Sequence, residues 1–242
     1  MTQTEQTHIP VVARSHPGMS GKNNEDRYAV SGLRVNRTPA VLAVLCDGIG
    51  GHRAGEVADE MAVQTITRRV TALAAAEPAR GMIQAIQEAS QEIYDHAQSD
   101  PSRAGMGATA VVALVIGAQL YAATVGDSRL YLMRANSIRQ LSTDHTWVQE
   151  AVDHGFLQPE QAKGHPNAHV IRRYLGSPTP PKVDVRLRVS GKESDAQAEA
   201  NQGLPLQPGD RLLLCSDGLT DLVDNREILA AFHTYPAEQA VE

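Results

Sequence analysis

Two unbroken apolar runs, Val41 to Cys46 and Ala110 to Ile116, constrain this chain more than any other feature. Both are rich in Val, Ile and Leu and have the length of a strand rather than a helix, so they read as strands buried on both faces. A strand with no polar face needs cover on each side, which demands a layered structure. Gln119 to Val125 and Arg129 to Arg134 follow at hairpin spacing, with Gly117-Ala118 and Gly126-Asp127 as turns, and predict an antiparallel meander. Arg211 to Cys215 is a further short buried strand.

Two helices are predicted between the first strands and the meander. Ala58, Ala62, Ile66, Val70 and Leu73 form one apolar stripe. Met82, Ile86, Ala89, Ile93 and Ala97 form the second, with Pro78 at a helix start. Strands, then a helix pair, then strands without βαβ alternation imply an α+β protein of antiparallel sheets layered with helices. Residues 142–181 carry Pro166, Pro178, Pro180 and Pro181 and read as a surface excursion, and Lys192 to Gln202 as an exposed loop.

Composition closes off several function classes. The charges, 22 Lys and Arg against 28 Asp and Glu, leave a net −6, which excludes a basic nucleic-acid footprint. The two cysteines, Cys46 and Cys215, are too far apart in sequence for a metal knuckle and fit a reducing compartment. The polar first ten residues lack a signal-peptide pattern, and the Ala108 to Ala118 stretch falls short of the roughly 20 residues a membrane span needs. A cytoplasmic, monomeric protein without a membrane segment in this chain is expected.

Three acids share one setting. Asp47 follows VLAVLC, Asp127 follows YAATVG and Asp217 follows RLLLCS, each at the downstream end of an apolar strand. They read either as turn and cap acids, since Asp-Gly is a common hairpin signal, or as a cluster for a hard divalent cation. Helical sequence after Asp47-Gly48 and Asp217-Gly218 disfavours hairpins. Rival motifs fail: Arg53 stands where a dinucleotide loop needs its third glycine, and Gly21-Lys22 lacks the rest of a phosphate loop. His165 and His169 have zinc-protease spacing, but Pro166 replaces the glutamate, so they read as loop residues.

The ordered segments GMSGKNNED (18–26), CDGIGGHRAGEVA (46–58), GMGATA (105–110), VGDSRLYL (125–132), DHTWVQEAV (144–152) and LLLCSDGLTDLV (212–223) resemble bacterial metal-dependent protein phosphatases of the type 2C Ser/Thr class. The resemblance implies a four-layer αββα sandwich, two central antiparallel sheets flanked by helix pairs, as one domain over residues 1–242 with a flap at about 142–181. It implies hydrolysis of phosphoserine and phosphothreonine in proteins, opposing a bacterial Ser/Thr kinase. The alternative is a phosphatase-like module that binds phosphoproteins without turnover.

By the same resemblance Asp47 bridges two Mn²⁺ or Mg²⁺ ions, Gly48 offers its carbonyl to one, and Asp217 ligates the other. Glu25 and Asp26 orient waters on the ions, and Asp127 with Asp217 holds a third, weaker ion. Three departures accompany the match. Gly21 stands where the family places a phosphate-binding Arg, leaving Lys22 or Arg14 as candidate cations. Ile49 stands where eukaryotic relatives have a His, and His52 is the nearby candidate acid. The family's closing Gly-x-x-Asp-Asn-x-Thr strand does not follow Asp217; Asp224-Asn225 matches a helix start instead, so the chain is expected to lack the final strand and its Asp.

Overall fold

The computed structural model describes residues 9–19, 23–50, 53–73, 77–162 and 164–242. Lys22 and His52 lie outside these described residues. In chain order the elements are β1 (Asp26–Val35), β2 (Thr38–Ile49), α1 (Arg53–Leu73), α2 (Pro78–Gln98), β3 (Gly107–Ala108), β4 (Ala110–Ile116), β5 (Gln119–Val125), β6 (Arg129–Arg134) and β7 (Ser137–Gln140). They continue as α3 (Trp147–Asp153), α4 (Pro159–Ala162), α5 (Asp195–Ala200), β8 (Leu204–Pro205), β9 (Arg211–Cys215), α6 (Asp217–Thr220), α7 (Asn225–Thr234) and α8 (Ala237–Ala240).

Two antiparallel sheets face one another. One has the order β1-β2-β4-β5-β8 with β3 paired to the end of β2; the other has the order β7-β6-β9. Strand parity in β4 builds both cores. Val112 and Leu114 point toward α1 and α2, meeting Ala62, Ile66, Met82, Ile86 and Ile93. Val111, Ala113 and Val115 point the other way and pack with Leu130 and Leu132 of β6, Leu141 and Leu187. The unbroken apolar runs are thus buried because each parity class has its own layer to fill.

The meander is corrected in one respect. β4 and β5 form the expected hairpin, but β6 pairs with β7 and β9, not with β5. Gly126, at φ +102°, therefore carries the chain from one sheet to the other. The Lys192 to Gln202 stretch is also more ordered than its polarity suggests. Ser194 and Gln197 form a reciprocal capping box on α5, and Ala198 is fully buried. Asp224 caps α7, accepting from the Arg226 and Glu227 amides at 2.8 and 3.0 Å, as expected of a helix start.

Asp59 of α1 joins Thr67 and Thr220 as described residues with buried side-chain oxygens that lack a hydrogen-bond partner, and it alone of the three is ionisable. It is 0% exposed, neither carboxylate oxygen has a hydrogen-bond partner, and the Arg27 guanidinium stands 3.9 Å away. Burial pushes its carboxyl up to about 8 against the attraction of Arg27. The unfolded chain ionises this group near its ordinary value while the fold keeps it neutral, so stability falls as pH climbs from about 4 to about 8. Asp59→Asn should match the native chain near pH 4. By pH 8.5 it should be more stable by about 2–4 kcal/mol in urea titrations; a gap that does not widen with pH would remove the unpaired carboxyl as its cause.

Candidate metal centre

The acids converge at one end of the sandwich because strand ends and strand parity place them there. On β2, Leu42, Val44 and Cys46 face the helices, so Leu45 and Asp47 face the second sheet. Asp26 is the cross-strand partner of Asp47. Asp127 follows the end of β5 at the crossover, and Asp217 opens α6 two residues beyond β9. Ser216 donates its hydroxyl to Asp26 Oδ2 at 2.8 Å, joining the two sheets.

Gly48 is held tightly. Its amide donates to Glu25 O at 2.8 Å, and a Cβ at Gly48 would lie 2.4 Å from the Gly55 carbonyl oxygen. The Glu25 carboxyl carbon in turn lies 3.1 Å from where a Gly55 Cβ would sit. Glu25, Gly48 and the first turn of α1 therefore meet at one point, opposite the face that carries Asp26.

The electrostatics are those of crowded carboxylates. Asp47 is raised far above the usual range by burial and then by the charges of Asp26, Asp217 and Asp127. Burial, followed by the Asp217 and Asp144 charges, pushes Asp127 up to about 7. Asp217 is raised by burial and by Asp221, and Asp26 by burial, with the Ser216 hydrogen bond opposing it. Among the described residues, no Lys or Arg is hydrogen-bonded or ion-paired to Asp47, Asp127 or Asp217. Such a set of hard oxygen donors, short of compensating charge, fits divalent cations of the Mg²⁺ and Mn²⁺ kind.

The surrounding motifs buttress the cluster. Arg129 grips Asp144 in a bidentate pair, with Nη2 to Oδ2 at 2.6 Å and Nε to Oδ2 at 2.9 Å. The buried His145 accepts from the Gly126 amide through Nδ1 at 3.0 Å and pairs through Nε2 with Asp184 at 3.2 Å. Burial would raise Asp184, but hydrogen bonds from His145 and Arg186 outweigh it and hold the carboxyl below the ordinary range.

Other expected residues fall elsewhere. Arg14 sits in an irregular, exposed segment rather than on a strand, and its guanidinium lies 3.6 Å from Glu242. No hydrogen bond or ion pair among the described residues joins Arg14 to the acids. Cys46 and Cys215 are buried free thiols; burial raises both, Cys215 to about 12, which leaves them inert as nucleophiles. His165 stacks on Trp147, ring centroids 5.1 Å apart. His169 lies in a turn, as expected of a loop residue, and stands 3.6 Å from Asp221; one ligand atom each from His169, Asp217 and Asp221 lie within 4.8 Å of one another. Only the tertiary fold of residues 142–181 brings His169 there. Ser216 and Thr109 lie in the segments LLLCSDGLTDLV and GMGATA, but a single hydroxyl residue there carries no spacing signal of its own.

Comparisons with known proteins identify the family. The sequence model of the family described as protein phosphatase 2C matches residues 20–151. The serine/threonine phosphatase stp of Listeria innocua is 36% identical over 219 residues, covering 89% of this chain and 79% of that protein. The serine/threonine protein phosphatase PstP of Mycobacterium tuberculosis is 35% identical over 224 residues, 90% of this chain but 38% of PstP. A crystal structure of PstP superposes with a TM-score of 0.76 at 30% identity, covering 94% of this chain and 86% of that one. A PstP catalytic domain in complex with two manganese ions superposes at 0.66, with 29% identity and coverage of 89% and 88%. The chain belongs to the protein phosphatase 2C family.

Proposed function

We infer that this chain is a metal-dependent protein-serine/threonine phosphatase, and the observation that carries the reading is the meeting of Asp26, Asp47, Asp127 and Asp217, where no Lys or Arg among the described residues is hydrogen-bonded or ion-paired to Asp47, Asp127 or Asp217. Asp47, the Gly48 carbonyl and Asp217 would hold two Mn²⁺ or Mg²⁺ ions, and Asp127 with Asp217 a third. When bound, such ions supply positive charge to the phosphoryl oxygens and lower the pKa of water. Asp26, one oxygen engaged by the Ser216 hydroxyl, has the other to accept from a water and aim its lone pair at phosphorus. Glu25, packed against Gly48 and Gly55, serves the opposite side of the Gly48 carbonyl. The departing Ser or Thr alkoxide needs a proton; His52 is proposed as its donor and Lys22 as a cation for the phosphate. Residues 142–181 are proposed as a flap; the Arg172 amide donates to His145 O at 2.7 Å, and His169 from this segment stands beside Asp221.

Phosphorylated proteins, modified by a Ser/Thr kinase, are the proposed substrates. The purely binding module is disfavoured because the chain retains acids that binding alone does not need. No helix among the described residues is long and apolar enough to cross a membrane. The test is phosphate release from a phosphothreonine peptide with Mn²⁺ or Mg²⁺ and with chelator. Release should require metal, and Asp127→Ala should raise the Mn²⁺ needed for half-maximal rate about 10-fold, as expected of a weak site with few protein ligands. Metal-independent release, or no release together with no Mn²⁺ binding, would overturn the reading; an unchanged Mn²⁺ dependence in Asp127→Ala would remove the third ion.

A further inference from the structure

One fully buried residue, Thr109, touches both turns that carry the outer pair of acids. It stands between β3 and β4. Its amide donates to Asp47 O at 2.8 Å, and its Oγ1 accepts from the Asp47 amide at 3.0 Å, so a single residue holds Asp47 by both its N–H and its C=O. Because the Asp47 amide can only donate, the Thr109 hydroxyl proton is left for another acceptor, and Ser128 Oγ lies 2.7 Å away. Thr109 and Ser128 are 0% and 2% exposed. Ser128 is the immediate neighbour of Asp127. The Thr109 side chain also abuts the crossover on the other flank of Asp127: a Cβ at Gly126 would lie 2.6 Å from Thr109 Cγ2 and 2.7 Å from its Cβ.

The contacts run in an unbroken line from the Asp47 amide through two hydroxyls to the Asp127 turn. A buried Thr on a strand often bonds a nearby backbone group and does nothing more. Here both partners are a proposed ligand or its neighbour, 62 and 19 residues away in sequence. We propose that Thr109 is a positioning residue: its hydroxyl, bound at once to the Asp47 amide and to Ser128, sets the separation of the Asp47 and Asp127 turns and thereby the cation affinity of the site. The inference rests on Asp47 and Asp127 being metal ligands. It assigns to Thr109 no contact with substrate.

The substitutions Thr109→Val, Thr109→Ser and Ser128→Ala separate hydroxyl from shape, because Val keeps the volume and loses the hydroxyl, whereas Ser keeps the hydroxyl and loses the methyl. Three readouts are taken: hydrogen exchange of the Asp47 amide in metal-free protein, Mn²⁺ affinity by calorimetry, and p-nitrophenyl phosphate turnover against Mn²⁺ concentration. Thr109→Val should speed Asp47 exchange at least about 10-fold and weaken Mn²⁺ about 10- to 100-fold, the usual cost of losing a group that orients a ligand. Its turnover at saturating Mn²⁺ should stay within about 3-fold of native, because positioning acts through affinity. Thr109→Ser should remain within about 3-fold of native on every readout.

A folded Thr109→Val with native exchange and native Mn²⁺ affinity would overturn the proposal. So would Thr109→Ser falling with Thr109→Val, which would make the methyl against Gly126 the active feature. If Thr109→Val does not fold, Ser128→Ala decides, since it cuts only the far bond: Mn²⁺ weakened about 3- to 10-fold supports the proposal and unchanged affinity overturns it. Failure of the ligand reading looks different. There Asp47→Asn would bind Mn²⁺ as the native chain does, while the exchange result would still report on the Thr109 hydrogen bond.

Discussion

Asp47→Asn is expected to reduce metal-dependent turnover by at least about 10³-fold and to abolish tight Mn²⁺ binding, because a neutral amide of the same shape removes one full charge from the centre of the cluster. The same substitution should leave the metal-free protein folded and raise its melting temperature. Asp47 is buried beside Asp26, Asp217 and Asp127, so without cations the fold must hold it protonated well above its unfolded pKa, a cost that the amide avoids. Opposite movement of stability and activity in one variant is the signature sought by calorimetry with metal, thermal melting without it, and a phosphopeptide assay. A folded Asp47→Asn protein retaining more than about a tenth of native turnover would exclude Asp47 as the shared ligand.

Gly48→Ala is expected to have the second large effect, through the backbone. The added Cβ would lie 2.4 Å from Gly55 O and 2.6 Å from Gly55 C, atoms anchored in the first turns of α1. Relief requires α1 and β2 to separate, at a cost of about 3 kcal/mol or more. In a chain of this size that lowers the melting temperature by roughly 6–12 °C. Gly55→Ala is the control. Its Cβ would meet the Glu25 carboxyl at 3.1 Å and the Gly48 carbonyl carbon at 3.2 Å, closer than ordinary contacts but short of overlap, so its loss should be smaller. Equal melting temperatures for Gly48→Ala and the native chain would contradict the tight crossing.

The parts of this architecture legible in the sequence are those written in short-range pattern. The apolar runs of β2 and β4 and the stripes of α1 and α2 state both element type and buried face, and Asp47, Asp127 and Asp217 announce themselves by following strands. What the pattern does not carry is partner choice. The step from β5 to β6 has hairpin spacing, yet Gly126 turns the chain into the other sheet, because Leu130 and Leu132 fill the layer opposite Val111 and Ala113. The α5 helix has no sequence stripe, because one buried Ala among polar residues makes none; its signal lies in the Ser194 and Gln197 cap. His169, Ser216 and Thr109 reach the site through contacts spanning tens of residues or more, and no local spacing encodes those.

The division of the acids between the two sheets has a mechanical consequence. Asp26 and Asp47 ride on the larger sheet and Asp217 leaves the end of β9 on the smaller, so the like charges push the sandwich apart at that one end. The apolar layer of Val111, Ala113, Leu130 and Leu132 works as the closed side of a jaw, and the Ser216 to Asp26 hydrogen bond as a weak clasp across its mouth. Any cation gripped from both sheets turns that clasp into a rivet. Loading of the site is thereby tied to the grip of one sheet on the other, and amides along β9 should exchange more slowly as Mn²⁺ is added.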